Sequence, residues 1–235
     1  MLSFIQVPTS REGLTAAIEA ADILTAMKVR AGYNNWATTY DTDRNRTRDL
    51  DEIITRKILG GLRLKSILEI GCGTGKNTLL FAKIGEQVQA LDFSESMIAQ
   101  ARGKASAPNV SFEVADITQR WPVDDASIDL ISCNLVLEHI ADLSHVFAQA
   151  ARVLANEGRF FISELHPFRQ YQGTVATFTR EDALVKIAAF VHHISDFLDA
   201  AVANGLALRQ LNEWWHSEDE GKPPRLVTFM FAKSK

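Results

Sequence analysis

The stretch Ser66-Ile67-Leu68-Glu69-Ile70-Gly71-Cys72-Gly73-Thr74-Gly75-Lys76 decides how this chain reads. The run ending at Ile70 is apolar enough for a strand buried on both faces, and helical spacing follows to about Lys83. Glycines at 71, 73 and 75 permit a tight strand-to-helix turn and let a ligand come close to the main chain. The next apolar run, Gln87 to Asp92, closes on an acid. A carboxylate in that place can accept two hydrogen bonds from a ribose diol.

Two nucleotide classes use such a turn. A dinucleotide fingerprint, G-x-G-x-x-G, needs Gly or Ala at position 76, where this chain has Lys76. A P-loop needs G-x-x-x-x-G-K-[ST], which is absent. The form here is Glu69-x-Gly71-x-Gly73-x-Gly75. Glu69 would repel a pyrophosphate but could help hold an ammonium group, which favours S-adenosylmethionine over NAD and leaves the dinucleotide as the alternative.

Outward from this turn, strands and helices alternate. Strands are expected at Ser66–Ile70, Gln87–Asp92, Val110–Ala115, Ile128–Cys133 and Arg159–Glu164. Helices are expected after the glycine turn, at Ser94–Arg102 with Ser94 as cap, and at Leu143–Leu154. Such alternation means a parallel sheet with helices on both faces. Leu206–Leu211 and Leu226–Ala232 read as two late strands, and their direct connection makes the pair antiparallel. The expected fold is α/β and Rossmann-like, a mostly parallel seven-stranded sheet with a late antiparallel strand.

Two additions frame it. Residues 1–60 read as an N-terminal helical cap on a domain covering 61–235. In the cap, Thr9 and Glu12 suggest a capping box and Leu14, Ile18, Ala21, Leu24 and Met27 fall at helical spacing; this helix should stop near Gly32. A second helix runs from about Asp49 to Leu59. After strand five, an insert of about 166–192 should hold a β-hairpin, Thr174–Thr179 and Ala183–Val191. Ser195 then caps a helix to Asn204, and an acidic loop spans Glu213 to Pro224.

Composition limits the partners. The 235 residues carry 25 Lys plus Arg against 29 Asp plus Glu, a net charge of −4, so no standing basic surface for nucleic acid or anionic membrane is expected. No apolar window reaches the roughly 18–20 residues that span a bilayer. Arg11, Glu12, Glu19 and Asp22 interrupt any signal-peptide core. Cys72 and Cys133 are too few for a disulfide framework, and a cytoplasmic setting with free thiols follows.

Four segments in order give the chain a family resemblance: Leu68-Glu69-Ile70-Gly71-Cys72-Gly73-Thr74-Gly75, Leu91-Asp92-Phe93-Ser94-Glu95-Ser96-Met97, Ala115-Asp116-Ile117 and Asn134-Leu135-Val136-Leu137-Glu138-His139. The chain resembles the class I S-adenosylmethionine-dependent methyltransferases of the small-molecule type, over roughly 33–235 and most strongly over 66–165. The resemblance implies S-adenosylmethionine as cofactor and S-adenosylhomocysteine as product. It implies that Gly71, Cys72, Gly73 and Gly75 lie along the methionine portion, that Asp92 binds the ribose, and that Phe93 and Met97 flank the adenine. Asp116, with Ile117, would meet the adenine amino group, and Asn134 and Leu135 would pass beside the sulfonium. Tyr33, Trp36 and Tyr40 resemble the aromatic segment that closes over cofactor and substrate.

Methyl transfer from a sulfonium is an in-line displacement, so the protein supplies orientation and desolvation, and a base only where the nucleophile must lose a proton. The acceptor is expected to be an oxygen or nitrogen, a carboxylate among them, of a small-molecule metabolite or peptide. Candidate catalytic groups are Glu164, His166 and His139. Glu164 and His166 share a face if the strand continues. Arg169, Tyr171 and His193 join Tyr33 and Trp36 as candidate substrate contacts. Nucleic acid is disfavoured because no [DN]-P-P-[FYW] or Pro-Cys follows strand four. No metal is expected, since adjacent His192 and His193 would point to opposite faces of a strand. The competing readings are a cofactor-binding partner protein without catalysis, and aminopropyl transfer on the same fold.

Overall fold

The computed structural model describes residues 11–180 and 183–233. Helix α1 (Arg11–Trp36) and helix α2 (Arg46–Leu59) precede the first strand. Asn45 caps α2 by accepting from the backbone N–H groups of Thr47 and Arg48, and the helix buries Leu50, Ile54 and Leu59. The alternating part follows: β1 (Leu64–Ile70), α3 (Thr78–Ile84), β2 (Gly85–Asp92), α4 (Glu95–Lys104), β3 (Val110–Val114), β4 (Ile128–Asn134), α5 (Leu143–Val153) and β5 (Leu154–Leu165). A short helix α6 (Pro167–Tyr171) leads to β6 (Thr177–Arg180) and β7 (Ala183–Lys186), then α7 (Ile194–Ala203), β8 (Leu206–Trp214) and β9 (Leu226–Lys233).

Seven strands form one sheet in the order β3-β2-β1-β4-β5-β9-β8. β1 to β5 pair in parallel, and β9 runs antiparallel to both β5 and β8. The mixed sheet is the one expected from the sequence. Its central strands are buried on both faces, which is why β1 and β4 read as continuous apolar runs instead of alternating ones. The main core lies between the sheet and α5 and α7. There Phe147 meets the rings of Phe160 and Phe231, each at 5.4 Å, and Phe197 stacks on Phe229 at 4.9 Å.

Several boundaries differ from expectation. α1 does not stop near Gly32 but continues to Trp36. A Cβ at Gly32 would touch only Ile187 at 3.5 Å, and an interior glycine weakens a helix by about 1 kcal/mol without ending it. The Thr9 capping box lies outside the described residues, as does the hairpin turn at 181–182. β6 and β7 pair antiparallel as a separate two-stranded sheet, but the second arm ends at Lys186. Beyond it Ile187 drops into an apolar cluster with Val29, Trp36 and Phe178. The start of the insert is α6, a helix capped by His166. α7 is capped by His193 and not Ser195; the His193 N–H donates to Asp196 at 2.8 Å. Ser94 does cap α4, accepting from Met97 N.

The sheet order reverses between β1 and β4. Open α/β sheets form their ligand crevice at such a switch point, outside the carboxyl ends of the strands. Register aligns those ends, with Ile70 beside both Leu91 and Cys133.

Candidate functional site

A cleft opens at this switch point. Gly71 and Gly73 form one wall, Asp92, Phe93 and Met97 the next, and Ala115 to Thr118 the outer end. Asn134 to Val136, His139 and Ile140 face them, and Ala26, Val29, Tyr33 and Tyr40 close the top.

The glycine turn shows why two of its residues have no side chain. Gly71 has φ +67°, and a Cβ there would lie 2.2 Å from Val136 Cγ2, so the turn after β1 and the loop after β4 touch only because this residue is bare. Gly73 has φ +53° and nothing within 4 Å of a Cβ, because it faces the open cleft. Its N–H donates to Asp92 at 2.8 Å, and Ser94 N donates to the other Asp92 oxygen at 2.9 Å. Burial pushes the Asp92 carboxyl up to about 6, with the backbone N–H groups opposing the shift. Remaining lone pairs on both oxygens are available to hydroxyls. Phe93, Met97 and Ile117 give the neighbouring walls an apolar character suited to a flat ring. Asp116 stands at the outer end with one oxygen taken by Thr118 N (2.9 Å) and Thr118 Oγ1 (2.7 Å).

Across the cleft, Tyr33 Oη lies 2.8 Å from His139 Nε2, and His139 Nδ1 lies 2.8 Å from the carbonyl of Ala188. A carbonyl can only accept, so Nδ1 carries the proton and the Tyr33 hydroxyl donates to the Nε2 lone pair. Burial holds the Tyr33 phenol well above its usual value of 10, with Tyr40 and the nearby carboxylates adding to the shift. Tyr40 is pushed up to about 12 by burial even though the Arg48 guanidinium sits 3.9 Å over its ring.

Other expected site residues point elsewhere. Glu69 does not line the cleft: it is buried beneath the turn, where Thr78 Oγ1 bonds it and burial lifts its carboxyl to about 8. Cys72 points the other way, into a cluster with Ala90, Ile98 and Phe112, and burial raises its thiol. A Cβ at Gly75 would face Ala101 of α4 and Ala105 just after that helix. The Asn134 side chain turns to α2, donating to Asp51 (2.8 Å) and Thr55 (2.9 Å).

Glu164 and His166 do not form a pair. Glu164 accepts from Val136 N and Leu137 N, while His166 bonds Glu213 at 2.8 Å and takes the Phe168 N–H on Nδ1. The chain turns into α6 immediately after Leu165, which ends the strand geometry that would have aligned them. Arg169 is buried against Asp219 at 3.0 Å. Tyr171 and His193 bond each other at the surface. Trp36 is 2% exposed, stacked on Phe178 at 5.4 Å with its Nε1 donating to Asp43 at 2.7 Å, so it joins the hairpin to the N-terminal segment. Trp36→Ala is expected to cost about 3–5 kcal/mol of stability, read from the urea midpoint. A loss under about 1 kcal/mol would contradict this packing.

Two residues escaped the sequence reading. Asp41 accepts from Thr74 Oγ1 at 2.8 Å and pairs with Lys104 at 2.9 Å, tying the N-terminal segment to the glycine turn. Asp51 of α2 accepts from Asn77 and Asn134. Neither has a local pattern, since each meets partners far along the chain. Among the described residues no group of three or more His, Cys, Asp or Glu is placed to hold a metal, and no helix is long and apolar enough to cross a membrane.

Residues 68–162 match the family model described as a methyltransferase domain. A malonyl-[acyl-carrier protein] O-methyltransferase of Methylovorus sp. is 30% identical over 200 residues, covering 80% of this chain and 67% of that protein. The chain belongs to the class I S-adenosylmethionine-dependent methyltransferases. A ubiquinone biosynthesis O-methyltransferase of Xanthomonas oryzae pv. oryzae is 29% identical over 154 residues, 65% of this chain, and the match spans 63% of that relative's length. In fold, the chain is similar to the DhpI–S-adenosylhomocysteine complex (TM-score 0.70, 20% identity, 89% of this chain and 97% of that one). It is also similar to a methyltransferase from Mesorhizobium loti (TM-score 0.65, 19% identity, 77% and 96%).

The family's cofactor is S-adenosylmethionine, and this chain's residues fit it. The bare Gly73 surface beside Asp92 offers a place for a ribose, and the apolar walls continue to Asp116 where an adenine would end.

Proposed function

We propose that this chain transfers a methyl group from S-adenosylmethionine to an oxygen of a small-molecule or peptide acceptor. The observation that carries the reading is the cleft itself, with the Asp92 carboxylate and bare Gly73 on one wall and His139 on the other. The Methylovorus and Xanthomonas relatives are both named as O-methyltransferases, which supports oxygen over nitrogen.

When bound, S-adenosylmethionine supplies an electrophilic methyl on a positively charged sulfur. Asp92 accepts the ribose hydroxyls, and Gly71 and Gly73 let the main chain approach the ligand. α1 and the aromatic residues Tyr33 and Tyr40 exclude water from above. His139 takes the acceptor's proton on Nε2, since the Ala188 carbonyl fixes the proton on Nδ1. Tyr33 now donates to that lone pair, so an acceptor hydroxyl must take its place or pass its proton through it. Glu138 Oε1, 3.7 Å from Nε2, is placed to favour the imidazolium that results.

Methyl-labelled cofactor offered with phenolic, enolic and carboxylic acceptors tests this. The wild-type chain should label at least one hydroxyl acceptor, and His139→Gln should lower kcat by about 100-fold or more while cofactor affinity holds. Loss of cofactor binding in His139→Gln, or undiminished turnover, would remove His139 from the reaction. Absence of transfer to any acceptor by a cofactor-binding chain would favour the non-catalytic alternative.

A further inference from the structure

The segment from Asn134 to Leu137 runs between the cleft and two buried carboxyl groups that the proposed reaction does not use. On one side Asp51, 4% exposed, accepts from Asn134 Nδ2 at 2.8 Å and from Asn77 Nδ2 at 3.0 Å. Ser132 Oγ donates to Asn134 Oδ1 at 2.6 Å, so that side chain is held at both ends. On the other side Glu164, 3% exposed, uses one oxygen to accept from Val136 N at 2.9 Å and Leu137 N at 2.8 Å.

Between these anchors Leu135 has φ +57°. A side-chain-bearing residue in this region costs about 1–2 kcal/mol and stays there only when its surroundings impose it. Leu135 N itself donates to the Ser163 carbonyl at 2.8 Å. The conformation of the segment is therefore set from outside the cleft that it lines.

We infer that Glu164 and Asp51 are positioning residues, which hold the Asn134–Leu137 segment where it lines the cofactor cleft, Asp51 through the Asn134 side chain and Glu164 as a hydrogen-bond acceptor for the main chain. The inference rests on the methyltransferase reading. Glu164 does not line the cleft, and both of its described bonds need only an oxygen lone pair. Burial lifts its carboxyl to about 8, so it is mostly uncharged near neutral pH. An amide oxygen in the same place would do the same work. Displacing the segment should change how the site distinguishes a charged sulfonium from a neutral thioether.

The test is the ratio of Kd values for S-adenosylmethionine and S-adenosylhomocysteine, each titrated calorimetrically into the full chain. General loosening of the fold weakens both ligands together and leaves the ratio alone. Glu164→Gln should keep the wild-type ratio within about twofold, whereas Glu164→Leu and Asp51→Ala should shift it by about fivefold or more, with each variant's fold checked by circular dichroism. A shift in Glu164→Gln as large as in Glu164→Leu would overturn the inference, because charge or a proton would then be what matters. Folded Glu164→Leu and Asp51→Ala with the wild-type ratio would overturn it too. If Glu164→Leu does not fold, a fivefold shift in Glu164→Gln or an unshifted ratio in Asp51→Ala overturns it instead. A folded wild-type chain that binds neither ligand overturns the methyltransferase reading itself.

Discussion

Gly71→Ala is expected to destabilise the chain by roughly 2–5 kcal/mol and to abolish cofactor binding with it. Two costs combine. The added methyl must adopt φ +67°, worth about 1–2 kcal/mol for a non-glycine residue. It would also stand 2.2 Å from Val136 Cγ2, so the turn after β1 or the loop after β4 must move, and such overpacking costs about 1–3 kcal/mol. Both segments are pinned, one by the Gly73–Asp92 bond and the other by Glu164, which limits relief by small shifts. Gly73→Ala is the informative contrast. Its methyl points into open space, so stability should fall by only about 1–2 kcal/mol while ligand affinity drops because the cleft is filled. Urea unfolding and ligand titration of the two variants separate these effects. Equal stability losses in both would show that Val136 does not crowd Gly71.

Asp92→Ala should weaken S-adenosylhomocysteine binding by about 100-fold or more, since two hydrogen bonds to a charged acceptor are worth about 1.5–3 kcal/mol each. Asp92 also holds Gly73 N and Ser94 N, so its removal loosens the turn that shapes the same wall. Asp92→Asn keeps one carbonyl oxygen and should lose less. The carboxyl's raised value gives the loss a pH signature. In the free chain Asp92 titrates near 6, and ribose hydroxyls donate best to the ionised form. Affinity should therefore be full above pH 7 and fall as pH drops through 6, by about tenfold at pH 5. In Asp92→Ala that dependence should be gone. Stability runs the opposite way. A carboxyl whose folded value lies above its unfolded one favours the fold at low pH, and that contribution is lost as pH rises through 6 for Asp92 and through 8 for Glu69 and Glu164.

The sheet could be read from the chain because its signals are local. Apolar runs at 66–70 and 128–133 mark strands covered on both faces, and the helix-free link between 206–211 and 226–232 sets the antiparallel pair. Gly71, Gly73 and Asp92 were legible for the same reason, since turn and strand end fix where they point. Failures came where tertiary partners decide orientation. Glu164 and His166 stand one residue apart, yet the turn into α6 sends one to the loop after β4 and the other to Glu213. Trp36 has the same aromatic character as Tyr33, but helix geometry points it at Phe178 and away from the cleft. Arg169 is neutralised by Asp219, fifty residues along, and the anchoring role of Asp51 depends on Asn134, still further away. Spacing within one segment carries no trace of such partners.

The placement of the cofactor is tested most directly by calorimetric titration of the folded, ligand-free chain with S-adenosylhomocysteine, beside the Asp92→Ala variant at the same pH above 7. One site per chain is expected in the wild type, and no measurable binding by a variant whose melting transition shows it folded. A folded wild-type chain that gives no binding heat at several temperatures, or an Asp92→Ala chain that binds as tightly as wild type, would contradict the placement of the cofactor in this cleft.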